Sequence, residues 1–257
     1  MVWAESVSPS FRARHHIEDA DSADRVLYAL EDTRARLEAL FARTPEGMTV
    51  VLHGGPFGLA FTNPLLPAIW AIATPASRRY IAGWVGAREL HVLSPQALAN
   101  RASNVDGSRE MLALTPDALY ARRVIAENSP ALVKATPPRR IEMELRFAWL
   151  IEGGARWFAG QTDHAGTAIA RRLRESAPPA FPPRLCDAAL LGQTVIDLLA
   201  RTQGEQAAAR FVCRPKPLTT AFGVRSLRKL DHAWRSHLLE LAAGERPARL
   251  SLVTSLS

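Results

Sequence analysis

The chain has 257 residues, of which 47% are hydrophobic and 22% charged, enough apolar content for one large domain or two small ones without disulfide staples. Its net charge is +7 and almost entirely arginine-borne, since lysine occurs only at Lys134, Lys216 and Lys229. Two cysteines, Cys186 and Cys213, with no CxxC pairing argue against a disulfide framework and against a cysteine-built zinc site.

The opening MVWAESVSPSFRARHH lacks the apolar centre of a signal peptide. The longest apolar run, LLPAIWAIATPA from Leu65, is far short of the roughly 20 residues that span a bilayer. A cytoplasmic protein without a membrane partner is therefore expected. Arginine doublets recur at Arg78-Arg79, Arg122-Arg123, Arg139-Arg140 and Arg171-Arg172. They are scattered, with no aromatic-interleaved basic stripe, so nucleic acid is the least favoured partner.

In chain order, weak alternation over Phe11–His16 suggests a first strand. Residues 21–43 form an amphipathic helix, with Val26, Leu27, Leu30, Leu37, Leu40 and Phe41 at helical spacing, closed by Pro45 and Gly47. The β-branched MTVVLH, Met48–His53, reads as a strand stopped by GGP. A proline-punctuated helix over 59–73, a strand over 89–94 and a short helix over Pro95–Arg101 follow. Thr115-Pro116 opens a helix running to Asn128, with a capping hydroxyl and proline at the first helical position. Further helices are predicted over 141–160, 163–175, 187–203, 205–213 and 225–243, with a proline-rich connector at 177–184 and a loose tail after Pro247. The fold class is α+β: a small N-terminal mixed sheet with helices, then a mainly helical C-terminal half. The proline segment divides a core of 1–176 from a helical lobe of 177–257, the two packed as one unit.

The segment WLIEGGARWFAG, Trp149 to Gly160, is similar to the helix that carries the third zinc ligand in gluzincins, the peptidase MA-like zinc hydrolases. AFGVRSLRKLDHAWRSHL, Ala221 to Leu238, resembles the closing segment of their bacterial members, and the N-terminal order of strand, long helix, strand, helix, strand fits too. The resemblance implies a zincin-like fold in which Glu152 matches the ligand glutamate. It also implies two histidines at i and i+4 of an HExxH helix, with the intervening glutamate as general base on metal-bound water. The sequence departs from this pattern, because none of its seven histidines lies between Val92 and Asp163. Two registers are open. ALYAR, 118–122, puts Ala118, Leu119 and Arg122 at the positions of first ligand, base and second ligand. AENSP, 126–130, retains Glu127 as base but places Pro130 at the second ligand. The first is preferred, because a proline one turn into the motif breaks the helix presenting the pair.

Neither register supports a metal, since alanine has no donor atom and a guanidinium does not deprotonate. No metal and no cofactor are expected. Arg122 is instead expected to pair with Glu152, its planar fork suiting a carboxylate. The leading functional reading is a catalytically degenerate zincin-like protein, a pseudopeptidase, whose former cleft serves as a scaffold or as a binding surface for a peptide, a protein or a small anionic ligand. The alternative is a repurposed metal-independent enzyme with Glu152, Arg122, Tyr120 and Glu127 as its polar set and Arg123, Arg156 and His164 as ligand contacts. HGGP, 53–56, has no GxSxG elbow to accompany it and reads as a strand end. Trp149, Trp157 and Trp234 read as core.

Overall fold

A computed structural model describes residues 2–175 and 177–244. Three parallel strands, β2 (Phe11–His16), β3 (Met48–His53) and β5 (Glu89–Leu93), form the centre of the sheet. They are flanked by antiparallel edges, β1 (Trp3–Val7) on β2 and β4 (Gly83–Val85) on β5, giving the order β1-β2-β3-β5-β4. Alternation governs which face is buried: Phe11, Ala13 and His15 of β2 point inward, while Arg12 and Arg14 point to solvent. The two edge strands escaped the sequence reading for a physical reason. No residue of β1 is buried, so it carries no apolar alternation, and β4 is only 3 residues long.

Helix α1 (Ala20–Glu38) packs on β2 through Ala23, Leu27, Leu30 and Leu37. It ends at Glu38, earlier than the periodicity predicts, and Leu40 and Phe41 pack back on the core from the turn beyond it. The single helix expected over 59–73 is broken by its prolines into α2 (Pro56–Thr62) and α3 (Leu66–Ile72), with Asn63 extended between them. A one-turn α4 (Pro75–Arg78), capped by the Thr74 hydroxyl, precedes β4. Helices α5 (Pro95–Arg101), α6 (Ser108–Ala113), α7 (Thr115–Asn128) and α8 (Pro130–Lys134) follow β5.

The stretch predicted as one helix over 141–160 is two, α9 (Pro137–Arg146) and α10 (Ala148–Phe158), hinged at Phe147 with φ −106° and ψ 20°. Burial separates them. No residue of α9 is buried, whereas α10 is enclosed on nearly every side. A 3-10 turn at Gln161–His164 and α11 (Gly166–Leu173) lead to α12 (Ala188–Gln203), α13 (Glu205–Cys213), α14 (Leu218–Phe222) and α15 (Leu227–Ala242). The architecture is α+β, a mixed sheet followed by a mostly helical remainder.

One apolar cluster runs from Phe11 and Val50 in the sheet through Tyr120 and Leu150 to Ile196 and Trp234. Helix α12, beyond the proline connector, packs directly on α10. No helix among the described residues is long and apolar enough to cross a membrane. The tail expected after Pro247 lies outside the described residues.

Candidate functional site

Helix α7 spans the predicted Thr115–Asn128, but Thr115 does not cap it. Leu114 occupies that position, and the Thr115 hydroxyl donates to the Leu112 carbonyl at 2.6 Å. Because 3.6 residues make a turn, Ala118 and Arg122 share a face. Leu119 points elsewhere: its Cδ1 would lie 2.5 Å from a Cβ on Gly83, which is how closely β4 approaches α7. Ala118 and Leu119 are buried apolar residues. Pro130 stands outside α7, across the extended Ser129, so Ala126 and Pro130 do not share one helical face.

Helix α10 brings Glu152 to this face. Arg122 Nε lies 2.8 Å from Glu152 Oε1, and Arg122 Nη2 donates to Glu144 Oε2 at 3.1 Å. Glu144 in turn accepts from Arg140 Nε at 3.0 Å through its other oxygen. Two cations and two anions therefore alternate from α9 through α7 to α10. The Arg122 Nε–H is not directed at an acceptor, so its contact with Glu152 is a Coulombic pair rather than a directed hydrogen bond. The Arg122 side chain is about a fifth exposed and both glutamates about a third, so water screens the pairs in part.

The other expected site residues do not converge here. Tyr120 is fully buried on a different face of α7, where its ring packs edge-on against Phe11 at 5.0 Å and its hydroxyl donates to the Pro45 carbonyl at 3.0 Å. Burial raises its pKa. Glu127 pairs with Arg123 one turn away on the same helix, which occupies both. Arg156 is enclosed, donating to Gln161 Oε1 and to the Tyr80 carbonyl, each at 2.8 Å. Burial pulls its pKa down while Glu152 acts in the opposite sense. Gln161 carries the relay on to the Met111 carbonyl at 2.7 Å, so Arg156 ties α10 to α6 and has no reach toward a ligand. His164 closes the 3-10 turn, and its backbone carbonyl abuts Gly107.

Glu144 and Arg140 were missed. Their i,i+4 spacing is readable in the sequence, but the contact of Glu144 with Arg122 depends on how the kink at Phe147 sets α9. A second missed cluster lies on the sheet. His53 and His91 share a hydrogen bond of 3.0 Å, His91 contacts Glu89 at 3.2 Å, and Trp84 stacks flat on His91 at 4.3 Å. Parallel pairing of β3 with β5 sets these rings side by side.

Comparison with known proteins adds no neighbour: no family model, no curated protein and no solved structure matches the chain. The chemistry of the site therefore rests on its own atoms. A zinc ion does not fit the α7–α10 face, where the positions opposite Glu152 offer a methyl group and a guanidinium. Among the described residues, no group of three or more His, Cys, Asp or Glu side chains is placed to hold a metal. Two cavities, of about 320 Å³ and 490 Å³, open elsewhere, one beside Arg25 and Arg109 and the other beside Trp157 and Asp197. Neither is lined by Arg122 or Glu152; the space beside Glu152 holds side chains that neutralise it.

Proposed function

We propose that this protein is a non-catalytic relative of zincin-type peptidases, in which an arginine-centred ion network has replaced the metal and the neighbouring surface binds peptide segments. The observation that carries the reading is the Arg122 guanidinium, held between Glu152 and Glu144 at the position where the resemblance demands a second histidine ligand. A carboxylate kept for a metal is costly to leave unpaired once the metal is gone, and a fixed guanidinium offsets that cost.

The edge strand β4 supports the binding half of the reading. It lies against α7 through Gly83 and Leu119 and pairs only with β5 among the described residues. The register Trp84↔His91, with Gly86 N–H donating to the Glu89 carbonyl, turns the amides of Gly83 and Val85 away from β5. An extended peptide can add there as a further strand.

Metal analysis of protein purified without chelator, run beside the variant Ala118→His/Arg122→His, tests the replacement. The wild type should carry no stoichiometric zinc. The folded variant, with two histidines and Glu152, should bind one equivalent. Tight zinc in the wild type, or a folded variant indifferent to zinc, would remove the reading. Peptide binding is checked with Val85→Pro, which deletes an outward amide without breaking a bond to β5 and should abolish capture of extended peptides.

A further inference from the structure

The stretch from Gly54 to Ser77 contains no charged side chain, yet most of it lies on the surface. Phe57 is 89% exposed and Phe61 91%, and Leu65, Ile69 and Ile72 continue the same exposed apolar surface along α2 and α3. Within the two helices only Leu59 and Leu66 are buried, so the pair is pinned by two leucines and offers the rest of its apolar atoms to the outside. Exposed apolar surface on this scale marks a contact site in a soluble fold.

The surroundings decide what covers it. Arg78 and Arg79 close α4 immediately beyond α3, and Arg101 lies over the Trp70 ring at 5.5 Å, at the base of the apolar surface. Arg79 and Arg171 line one shallow recess beside Pro75 and Ala76. Among the described residues, none of Arg78, Arg79, Arg101 and Arg171 has a carboxylate within ion-pair distance. Trp70 and Trp84 sit half-buried at the same boundary, each with its indole N–H satisfied, to the Ile81 carbonyl and the Thr62 hydroxyl. An uncharged apolar projection is therefore bordered by amphipathic tryptophans and by arginines without a carboxylate partner, of which Arg101 and Arg78 donate only to backbone carbonyls.

We infer that the α2–α3 projection docks this protein on an anionic lipid bilayer surface, with Phe57 and Phe61 entering the acyl boundary and the arginines meeting lipid phosphates. Charge favours this occupant: Arg78, Arg79, Arg101 and Arg171 outnumber the Glu175 carboxylate beside α4, which accepts from the Ala76 amide and already contacts Arg172, and lipid headgroups supply further anions. A protein partner would be expected to find polar groups for orientation, since interfaces carry roughly one hydrogen bond per 100–200 Å². Here the exposed face offers only Thr62 and the half-buried Asn63 as polar side chains within α2, α3 and the link between them. A segment too short to span a bilayer is long enough to lie on one. The inference does not depend on the fate of the α7–α10 site.

Flotation of the full chain with vesicles of phosphatidylcholine, alone or mixed with phosphatidylglycerol, tests it, with sedimentation velocity run on the same protein. The protein should float with the mixed vesicles and much less with phosphatidylcholine alone, and added salt should weaken the association. Phe57→Ser/Phe61→Ser, at positions too exposed to matter for folding, should lower partitioning at least about tenfold with an unchanged circular dichroism spectrum. Arg78→Gln/Arg171→Gln should erase the preference for the anionic lipid. Absence of flotation, or flotation indifferent to the two serines, overturns the inference. So does a stable dimer that the serine variant dissociates without any lipid binding, which would assign the face to a second copy of the chain.

Discussion

Gly153 on α10 and Gly192 on α12 meet backbone to backbone: a Cβ on Gly153 would lie 2.2 Å from the Gly192 carbonyl carbon. One on Gly192 would lie 2.2 Å from the Trp149 carbonyl oxygen. The obstacles are main-chain atoms, which cannot rotate aside. This crossing joins the segment before the proline connector to the segment after it, and it fixes the depth of α10, on which Glu152 is the preceding residue. Gly153→Ala should therefore cost about 3 kcal/mol in urea unfolding. Gly58→Ala, where the nearest neighbour is His53 Nδ1 at an ordinary 3.4 Å, should fall within about 0.5 kcal/mol of wild type or gain stability.

Arg122 answers two carboxylates at once. Arg122→Met should destabilise the fold by about 2 kcal/mol, less than for a fully buried pair because water reaches all three side chains. A double-mutant cycle with Glu152→Gln should give a coupling of about 1 kcal/mol. A coupling indistinguishable from zero would mean that solvent screens the pair completely.

The histidine pair on the sheet makes stability depend on pH. Burial, then the neighbouring His91 and His16, depress the His53 pKa from 6.5 to about 4. The unfolded chain binds the proton more readily, so the contribution is fully present above pH 6.5 and is lost as pH falls toward 4. Opening of the site around the protonated ring can relieve part of that cost, so the loss over that window should be roughly 1–2 kcal/mol rather than the full conversion of the shift. Denaturant midpoints for wild type and His53→Gln measured across the window should converge at its acid end.

Arg172 and Asp187 form a bidentate pair, Nε–Oδ1 at 2.6 Å and Nη2–Oδ2 at 2.8 Å, with both side chains nearly inaccessible. It ties α11 to the turn that starts α12, and the Thr74 hydroxyl reaches the same carboxylate at 3.4 Å. Asp187→Ala should cost about 3 kcal/mol, because the buried guanidinium keeps only the more distant Glu175 carboxylate at 3.5 Å and the Ala177 carbonyl. Arg172→Lys should recover less than half, because a point charge cannot reproduce two parallel bonds. Thermal melting of the three proteins compares them directly.

Strong periodicity was the legible part of this fold. Strands β2, β3 and β5 and helices α1, α7, α12, α13 and α15 stand where apolar spacing and proline signals predict them, within a few residues at most ends. Elements without a buried stripe were not legible. β1 is wholly exposed or half-buried, and of α9, which buries nothing, only the part from residue 141 was predicted, as one helix with α10 and without the break at Phe147. The site divides in the same way. The pairing of Arg122 with Glu152 was expected from the resemblance, whereas Glu144 joins it only through the kink at Phe147 that sets α9 beside Arg122.

By itself the sequence determined which residue types are on offer: no histidine between Val92 and Asp163, an arginine at 122 and a glutamate at 152, and a long stretch without charge between His53 and Arg78. Spacing along a helix fixes which side chains share a face, because backbone hydrogen bonding sets the pitch locally. Tertiary structure alone decided that Tyr120 and Arg156 turn inward, that Glu144 completes the ion network, and that α2 and α3 present their phenylalanines outward. Those outcomes depend on contacts between residues far apart in the chain, and apolar composition cannot say whether a hydrophobic residue will be covered or left exposed.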